Sequence, residues 1–474
     1  MIRILFWNVN NFSKNKMFND STWADFLAST DRQGHMVDEV IMPNPPDIFA
    51  MVEVYSRVRE VGIEGTVLNP DADAGEGVLI LLKEFRRKLG QHWCLVPPLN
   101  LGEGGNREAV AVFYNSQKLQ FIGPYMYWNP VQGVPKAQPP DANLLNRIAD
   151  YPQKWKDCLP HPNQADNARQ QNRNYGAANI PEWQSAGQWE YFSGNHVIPS
   201  PDAAPYANTR IYFPDTWHRG PFFTAFRDLT VNPQRTIKLF SVHTSPATAK
   251  NAVRNLAQVQ EIANINADEV SVVAGDFNVD TFNPNENGAY GPLEQLHFAM
   301  ALDCRAPANN NNNPAVDPAR KPYCMSHLLP VDVATPFNNT GVAPDVTHNV
   351  YPRYGYMGSM GGFLFQTPVD SGAIDNFFVR YGANAGGPAA NITVVNTVVG
   401  KPYNAIPAPN GVTNELNGGL AYPARLNNPL TMPTANPPAP GGVNPAPGVG
   451  NFRNWENFWR IHSTSDHLAL AIEV

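Results

Sequence analysis

Acidic, amide and imidazole side chains lie at the ends of several separate apolar runs in this sequence. They include the asparagine that follows ILFW, the glutamate that follows FAMV and the histidine that follows LFSV. An α/β sheet places its ligand-handling groups at the ends of its strands, so these side chains are candidates for one shared site. The candidates are Asn8, Glu53, His243, Asp276, Asn278, Asp375, Asp466 and His467.

These residue types suit the hydrolysis of a phosphate ester. That reaction needs an activated water, neutralisation of the charge on the phosphoryl oxygens, and help for the leaving oxygen. Carboxylate and amide oxygens can hold Mg²⁺, which also binds substrate phosphate. A carboxylate beside an imidazole fixes its tautomer and raises its basicity. Asp375 lies in the apolar run AIDNFFV, where a charge requires a partner or a metal.

Each candidate taken alone has an ordinary structural explanation. Asn8 could be a turn residue, Glu53 a buried hydrogen-bonded carboxylate and His243 a core histidine. The run GDFN at residues 275–278 could be a plain exit from a strand, because Asp and Asn favour turns. Asp466-His467 could equally cap the last strand. The interpretation therefore depends on the whole set and its order.

The elements that must position these residues alternate between strands and helices. Apolar runs predict strands, and apolar stripes at helical spacing predict helices. The predicted strands span residues 2–9, 47–54, 93–96, 108–114, 222–231, 236–242, 270–274, 374–379 and 468–474. The predicted helices span residues 35–42, 75–89, 245–264 and 293–302.

Two loop-rich blocks, about 120–216 and 381–460, interrupt this pattern. Because the α/β pattern resumes after the first block and closes after the second, we expect residues 1–474 to form one elaborated domain. Residues 381–450 contain three charged side chains. Disordered segments usually combine low hydrophobicity with high charge, so we expect this block to pack on the core. Tryptophans of the first block are expected to anchor it to the core.

The composition is that of a globular protein with large loops. Hydrophobic residues make up 43% of the chain, charged residues 16%, and there are 45 prolines and 35 glycines. The formal net charge of −7 argues against a basic protein that coats nucleic acid or a polybasic membrane binder. It leaves open an enzyme that handles phosphates through a metal ion. No apolar run has the length of a membrane span.

The localisation stays open from the sequence. The apolar run at residues 2–7 is too short for the core of a signal peptide. Several Asn-x-Ser/Thr sites, among them Asn11, Asn338 and Asn391, favour an exported protein weakly. The four cysteines lack paired zinc-ribbon spacing, and Cys304 and Cys324 could form a disulfide or remain buried thiols.

The motifs WNVN, a strand ending in Glu, SVHT, GDFN, AIDNFFV and SDH appear once each and in this order. The chain thereby resembles the endonuclease/exonuclease/phosphatase superfamily, which includes DNase I. The resemblance covers roughly residues 1–115, 217–300, 370–380 and 461–474. It implies an α/β four-layer sandwich, with two central mixed β-sheets flanked by helices. It also implies divalent-metal-dependent cleavage of a phosphate ester.

The resemblance implies a role for each matching residue. Glu53 would hold Mg²⁺, for which Mn²⁺ could substitute, with Asn8 and Asp466 as neighbouring ligands. His467 would deliver or activate the attacking water, and Asp375 would orient it.

The remaining matching residues would act on the phosphate. Asp276 and Asn278 would place the nucleophile and the phosphate, and His243 would contact phosphate oxygens or assist the leaving group. Arg219, in HRGPFFTAF, matches a position at which an arginine clamps the phosphate, although it could also be a solvated loop residue.

The chain departs from the superfamily pattern in two places. DNase-like members pair the first histidine with a glutamate just before a strand, whereas residues 95–99 read LVPPL, which leaves Glu103 or Glu108 as substitutes. They also carry an arginine that enters the minor groove of DNA. At the corresponding position, residues 54–56, this chain reads VYS. Reading of duplex DNA in that way is therefore disfavoured. The WxGDxN and Cys-Asp-Arg motifs of inositol phosphatases are absent as well.

The leading hypothesis is a Mg²⁺-dependent phosphodiesterase, most readily an endonuclease acting on DNA or RNA. A second hypothesis is the same chemistry on a lipid or small phosphoester, as in sphingomyelinase-like members. A third is a binding module on a catalytically dead scaffold. The expected partner is nucleic acid or another phosphodiester, and the sequence indicates no protein partner.

Overall fold

A computed structural model gives the fold. It describes residues 1–55, 67–102, 108–124, 126–128, 145–147, 151–159, 206, 209, 211, 213–214, 219–281, 283–303, 305, 326–327, 330–331, 353–354, 373–387, 392–395 and 464–474.

Most strands join into two sheets. In chain order they are β1 Arg3–Phe12, β2 Ile48–Val54, β3 Trp93–Val96, β4 Asn100–Leu101, β5 Glu108–Asn115, β6 Leu119–Gly123, β7 Met126–Trp128, β8 Leu145–Arg147, β9 Phe222–Asp228, β10 Arg235–His243, β11 Glu269–Asp276, β12 Ala299–Met300, β13 Pro330–Val331, β14 Arg353–Tyr354, β15 Asp375–Tyr381, β16 Ile392–Val395 and β17 Ala469–Glu473.

Each large sheet has a parallel pair of strands near its centre. The first sheet has the order β16-β17-β1-β2-β5-β3, with β4 beside β5, and β1 runs parallel to β2. The second has the order β12-β15-β11-β10-β9-β6, and β10 runs parallel to β11. The other neighbours within both sheets are antiparallel. Two short ribbons, β7–β8 and β13–β14, lie apart from them.

Helices cover the outer faces of the sheets. They are α1 Lys14–Met17, α2 Trp23–Gly34 with a π-helical continuation at His35–Ile41, α3 Asp73–Leu89, α4 Gln153–Lys156, α5 Ala249–Leu256, α6 Gln260–Ala263 and α7 Gly291–Gln295. Helix α3 packs on the first sheet, where the Phe85 ring contacts Phe49, Phe113 and Trp93.

Side chains that point to opposite faces of a strand belong to two different hydrophobic cores. In β10, Ile237 and Leu239 belong to the core that includes the first sheet, whereas Phe240 and Val242 belong to the core beneath α5. Successive side chains of a strand point to opposite faces, so β10 must be covered on both sides. The predicted four-layer sandwich of two mixed sheets between helices is confirmed.

Two predicted helices are wrong as single elements. Residues 245–264 form a 3₁₀ turn followed by α5 and α6, which are separated by an extended residue, Val259. Residues 293–302 leave the helix after Gln295, turn through His297 at φ 66° and enter β12. The separate segments bury the same side, so apolar spacing continues across the breaks and conceals them. The helix predicted at 35–42 is instead a π-helix that continues α2.

Each loop-rich block contributes to the core. Trp155 is fully buried and its Nε1 donates to the Leu68 carbonyl over 2.6 Å. Strand β16 extends the first sheet beside β17. The predictions about Cys304 with Cys324, about Glu103 and about the packing of residues 401–450 lie outside the described residues. Within the part of the chain that the structure describes, no helix has the length and apolarity to cross a membrane.

The Phe85 contacts generate a stability prediction. Replacing Phe85 by Ala leaves a cavity between α3 and the first sheet, and such truncations cost about 3–5 kcal/mol. Phe18→Ala is the matched control, because that ring is 40% exposed and should cost much less. Urea unfolding followed by circular dichroism measures both. Equal losses would show that Phe85 does not join the helix to the sheet.

Candidate active site

The register of the second sheet places three candidate residues in one row. His243 at the end of β10 lies opposite Asp276 at the end of β11, which lies opposite Asp375 at the start of β15. Gly275 permits the close approach of β10 and β11, because a Cβ there would lie 2.7 Å from the Val242 carbonyl oxygen. The row therefore follows directly from strand pairing.

The first sheet supplies Asn8 and Glu53. The β1 register shifts between Asn8 and Phe12, and Asn11 and Glu53 have φ values of 55° and 57°. Left-handed backbone at non-glycine residues is uncommon and clusters at functional sites. It turns Glu53 so that its carboxylate accepts from Asn8 Nδ2 at 3.0 Å and from the Asn11 backbone N–H at 2.8 Å.

The segment before β17 is fastened to β1. Ser465 Oγ donates to the Asn8 carbonyl over 2.5 Å and accepts from the His467 N–H over 2.9 Å. The Trp7 indole donates to the His467 carbonyl over 2.9 Å. These bonds fix where the His467 ring lies.

His467 is paired with Asp375. Its Nδ1 lies 2.8 Å from Asp375 Oδ2, and its Nε2 lies 3.7 Å from Asp276 Oδ2. Burial opposes the charged ring, but the charges of Asp375 and Asp276 outweigh it and raise the pKa of His467 to about 10. Burial raises the pKa of Asp375, and the nearby His467 charge opposes that rise. Without a bound cation, His467 is an imidazolium at neutral pH.

His243 has the same arrangement with Glu108. Its Nδ1 lies 2.5 Å from Glu108 Oε1, and its Nε2 lies 3.4 Å from Asp276 Oδ2. Of the two glutamates that the sequence left open, Glu108 is thus found beside His243. Burial of the ring lowers its pKa, but the charge and hydrogen bond of Glu108 together with the charge of Asp276 raise the pKa above the ordinary value.

Asp276 is the point where these groups meet. It is 1% exposed, and its Oδ2 accepts from Asn8 Nδ2 at 2.9 Å. Its Oδ1 accepts from the Asn278 backbone N–H at 3.0 Å. Burial favours the neutral carboxyl, but the charges of His467 and His243 hold the pKa of Asp276 below its usual value.

Arg219 and Asn278 support the His243 side of the site. Arg219 Nη1 forms an ion pair with Glu108, and its Nη2 lies 3.4 Å from the Thr244 carbonyl oxygen. Asn278 Nδ2 donates to that carbonyl over 2.8 Å. In this structure both side chains position neighbouring groups, and their binding of phosphate stays a prediction.

Carboxylates near Asn8 fit a hard cation. The side chains of Glu53 and Asp466 are 22% and 25% exposed, so their oxygens are accessible. Burial would raise the pKa of Asp466, but contacts with His327 and His467 hold it well below its usual range, and the group is a carboxylate. Oxygen donors of this kind suit Mg²⁺. The Asn8 oxygen instead accepts from the Asn10 N–H at 3.0 Å, so as placed Asn8 offers its amide nitrogen to the carboxylates.

Sequence reasoning missed His327 and Asn10. Asn10 Nδ2 donates to Asp466 Oδ1 over 3.0 Å. The His327 ring stacks on His467 with 4.3 Å between centroids, and its Nε2 lies 3.6 Å from Asp466 Oδ2. Asn10 lies in the quoted WNVN motif and could have been named from it. His327 follows no apolar run, and nothing in its neighbourhood of the sequence marks it.

No protein-family model and no curated protein matches the chain by sequence. Solved structures that resemble it include D. rerio TDP2 complexed with a single-strand DNA product, at 7% identity and a TM-score of 0.37, covering 99% of this chain and 97% of that one. Bacteroides thetaiotaomicron mannosyl-6-phosphatase has 9% identity and a TM-score of 0.35, and the similarity covers 100% of this chain and 99% of that one. The human Nocturnin catalytic domain has 10% identity and a TM-score of 0.34, and the similarity covers 100% of this chain and 93% of that one.

At these scores the similarities carry no argument, and the fold is assigned from the topology of this chain. Two mixed sheets lie face to face between helices, and the candidate residues meet at one end of the central strands. The fold is DNase I-like. The architecture that the resemblance to the endonuclease/exonuclease/phosphatase superfamily implies is thereby confirmed.

The His467 environment predicts how stability depends on pH. The pKa of His467 is raised from 6.5 to about 10, so its charged form stabilises the DNase I-like fold fully below about pH 6.5. That contribution is lost as the pH rises through about 10. We expect the free energy of unfolding to fall over this range in metal-free buffer, and to fall less in His467→Gln. Parallel urea titrations measure both, and equal slopes would contradict the assignment.

Proposed function

We propose that the protein is a divalent-metal-dependent phosphodiesterase that cleaves nucleic acid. The observation that supports this most directly is the pair of imidazoles at Asp276. Each has its Nδ1 beside a buried carboxylate and its Nε2 within 3.7 Å of Asp276 Oδ2. Two oriented imidazoles facing one point can serve the two ends of a phosphoryl transfer.

The buried carboxylates set the direction of proton transfer. A carboxylate that accepts the Nδ1 proton fixes the tautomer, so that Nε2 is the atom available to substrate. Nε2 of one ring can then serve the attacking water and Nε2 of the other the leaving oxygen. Asp276 holds both rings in place through its charge.

The charge of His467 bears on which role it takes. The predicted role was to deliver or activate the attacking water, which requires a ring that can accept a proton. In the metal-free protein the pKa of about 10 favours a ring that donates a proton, whereas a cation held by Asp466 would lower that pKa toward the range of a base. The pH profile of kcat distinguishes the two: a base loses activity on the acid side of its pKa, and an acid loses it on the alkaline side.

Glu53 and Asp466 are the residues that would hold Mg²⁺ or Mn²⁺. The ion would supply positive charge to the phosphoryl oxygens, which the two imidazoles alone supply only in part. The chain itself keeps Glu53 in place through Asn8 and Asn11, and Asp466 through Asn10. Replacing these asparagines should therefore weaken metal activation.

A second candidate substrate is a phospholipid such as sphingomyelin. Phe18 and Trp23 are 40% and 72% exposed, and both rings contact Phe26. Lys16, two residues before Phe18, donates to the Thr464 carbonyl, two residues before Asp466. An aromatic group on this side of the site can enter a lipid surface or stack on a base, so the substrate test includes both classes.

Hydrolysis should require a divalent cation. Purified protein is incubated with plasmid DNA, RNA, sphingomyelin vesicles and a chromogenic phosphodiester, each with Mg²⁺ or with EDTA. We expect cleavage of a nucleic acid with Mg²⁺ and loss of it in EDTA, because the carboxylates that would hold the ion cannot replace its charge. Full activity in EDTA would contradict the metal dependence. Binding of nucleic acid without cleavage of any substrate would support the binding-module hypothesis.

His467 and Asp375 should act as a unit. Oriented acid–base catalysis is worth about 10²–10⁴-fold, so His467→Ala should lower kcat at least about 10²-fold with little change in KM. Asp375→Asn should cost a comparable factor, and the double variant much less than the product of the two.

The control for this pair is His297→Asn, which changes an exposed histidine outside the site at a positive φ that asparagine tolerates. Circular dichroism establishes that each variant folds. A folded His467→Ala that keeps the wild-type kcat would show that the site is assigned wrongly.

A further inference from the structure

His327 is held beside the proposed catalytic residues by the backbone. Its strand-like bridge to His467 is antiparallel, and the Leu468 N–H donates to the Ser326 carbonyl over 2.7 Å. The two imidazole rings stack with centroids 4.3 Å apart at 29°. The phosphodiesterase proposal above gives His327 no role, so its place beside Asp466 and His467 calls for another explanation.

The spacing of the nitrogen and oxygen atoms suits a bound transition metal. His327 Nε2 lies 3.6 Å from Asp466 Oδ2, and His467 Nε2 lies 3.8 Å from Asp466 Oδ1. Both separations are longer than a good hydrogen bond. A tetrahedral ion with bonds of about 2.0–2.1 Å holds its ligand atoms about 3.3–3.4 Å apart. A small inward movement would bring all three side chains onto one ion.

The surroundings of His467 are also those of a metal ligand. Histidines that bind metal almost always place the other ring nitrogen against a carboxylate or carbonyl, which orients the ring and raises its basicity. His467 Nδ1 has that contact with Asp375, at 2.8 Å. The side chains of His327 and Asp466 are 12% and 25% exposed, so an ion can reach the three side chains from solvent.

We infer that His327, Asp466 and His467 form a binding site for Zn²⁺ or a similar transition-metal ion, and that the ion inhibits the protein. Two imidazole nitrogens favour zinc over Mg²⁺, which prefers oxygen ligands. Three protein ligands leave a fourth position for water. On binding, the ion displaces the Nε2 proton of the His467 imidazolium to solvent and occupies Nε2, the atom assigned to proton transfer. The inhibition rests on the proposed function, whereas the binding does not.

Zinc binding by the full-length chain tests the site. A chromogenic chelator competes for Zn²⁺ with each protein, whose thiols are blocked beforehand. The proteins are wild type, His327→Phe, His327→Gln and the control His297→Asn. Phe keeps an aromatic ring for stacking on His467 but removes the ligand. We expect one tight zinc per chain in wild type and control, and at least about tenfold weaker binding in both His327 variants, since even outer partners of a metal contribute 10–100-fold.

The binding result decides the site whether or not the protein is an enzyme. Equal zinc affinity in wild type and a folded His327 variant, or no binding by wild type, would overturn the inference. Where hydrolysis is found, Zn²⁺ is added to the Mg²⁺-supported reaction and inhibition is expressed relative to each protein's own zinc-free rate. The zinc concentration for half-inhibition should be at least about tenfold higher in the His327 variants. Zinc binding without inhibition would overturn the inhibitory part alone.

Discussion

Asp276 is a buried carboxylate whose charge is balanced by two imidazoles from different parts of the chain. A buried charge is tolerated only when partners stand at hydrogen-bonding or ion-pairing distance. His243 reaches it from the neighbouring strand, and His467 reaches it from the segment before the last strand. Asn8 reaches it from β1, so the ends of four strands must meet for this one charge to be satisfied.

The contacts of the site also join the two sheets. His243 in the second sheet pairs with Glu108 in the first, and Asn8 in the first donates to Asp276 in the second. His467, beside the last strand of the first sheet, pairs with Asp375 in the second. Breaking a buried ion pair from one side typically costs about 3–5 kcal/mol. The residues that would do chemistry thus also fix how the sheets are placed.

The sequence predicted the strands and most of the site for a physical reason. The central strands are covered on both faces, so they appear as continuous apolar runs, and a polar residue at the end of each run stands out. Asn8, Glu53, His243 and Asp276 were found in this way. Asp466 and His467 stood out in the same way, directly before the last apolar run, and the order of the motifs supplied their expected roles.

The rest could not be predicted because it depends on contacts between distant segments. Glu108 pairs with a histidine 135 positions away, and this pair forms only where the two sheets meet. Arg219 was expected at the phosphate, but its ion pair with Glu108 depends on the same meeting. His327 follows no apolar run in the sequence and belongs to no motif that marks it. The break at Val259 is hidden because both flanking helices bury the same side.

A histidine-selective NMR titration of the metal-free protein tests whether Asp276 couples the two imidazoles. Wild type and Asp276→Asn are titrated side by side, with His92 as a reference outside the site. If Asp276 couples the rings, the pKa values of His243 and His467 are both raised in wild type and both fall in Asp276→Asn, while the His92 signal is unaffected. If only one of the two rings responds, or neither does, the two imidazoles do not share Asp276 and the account is contradicted.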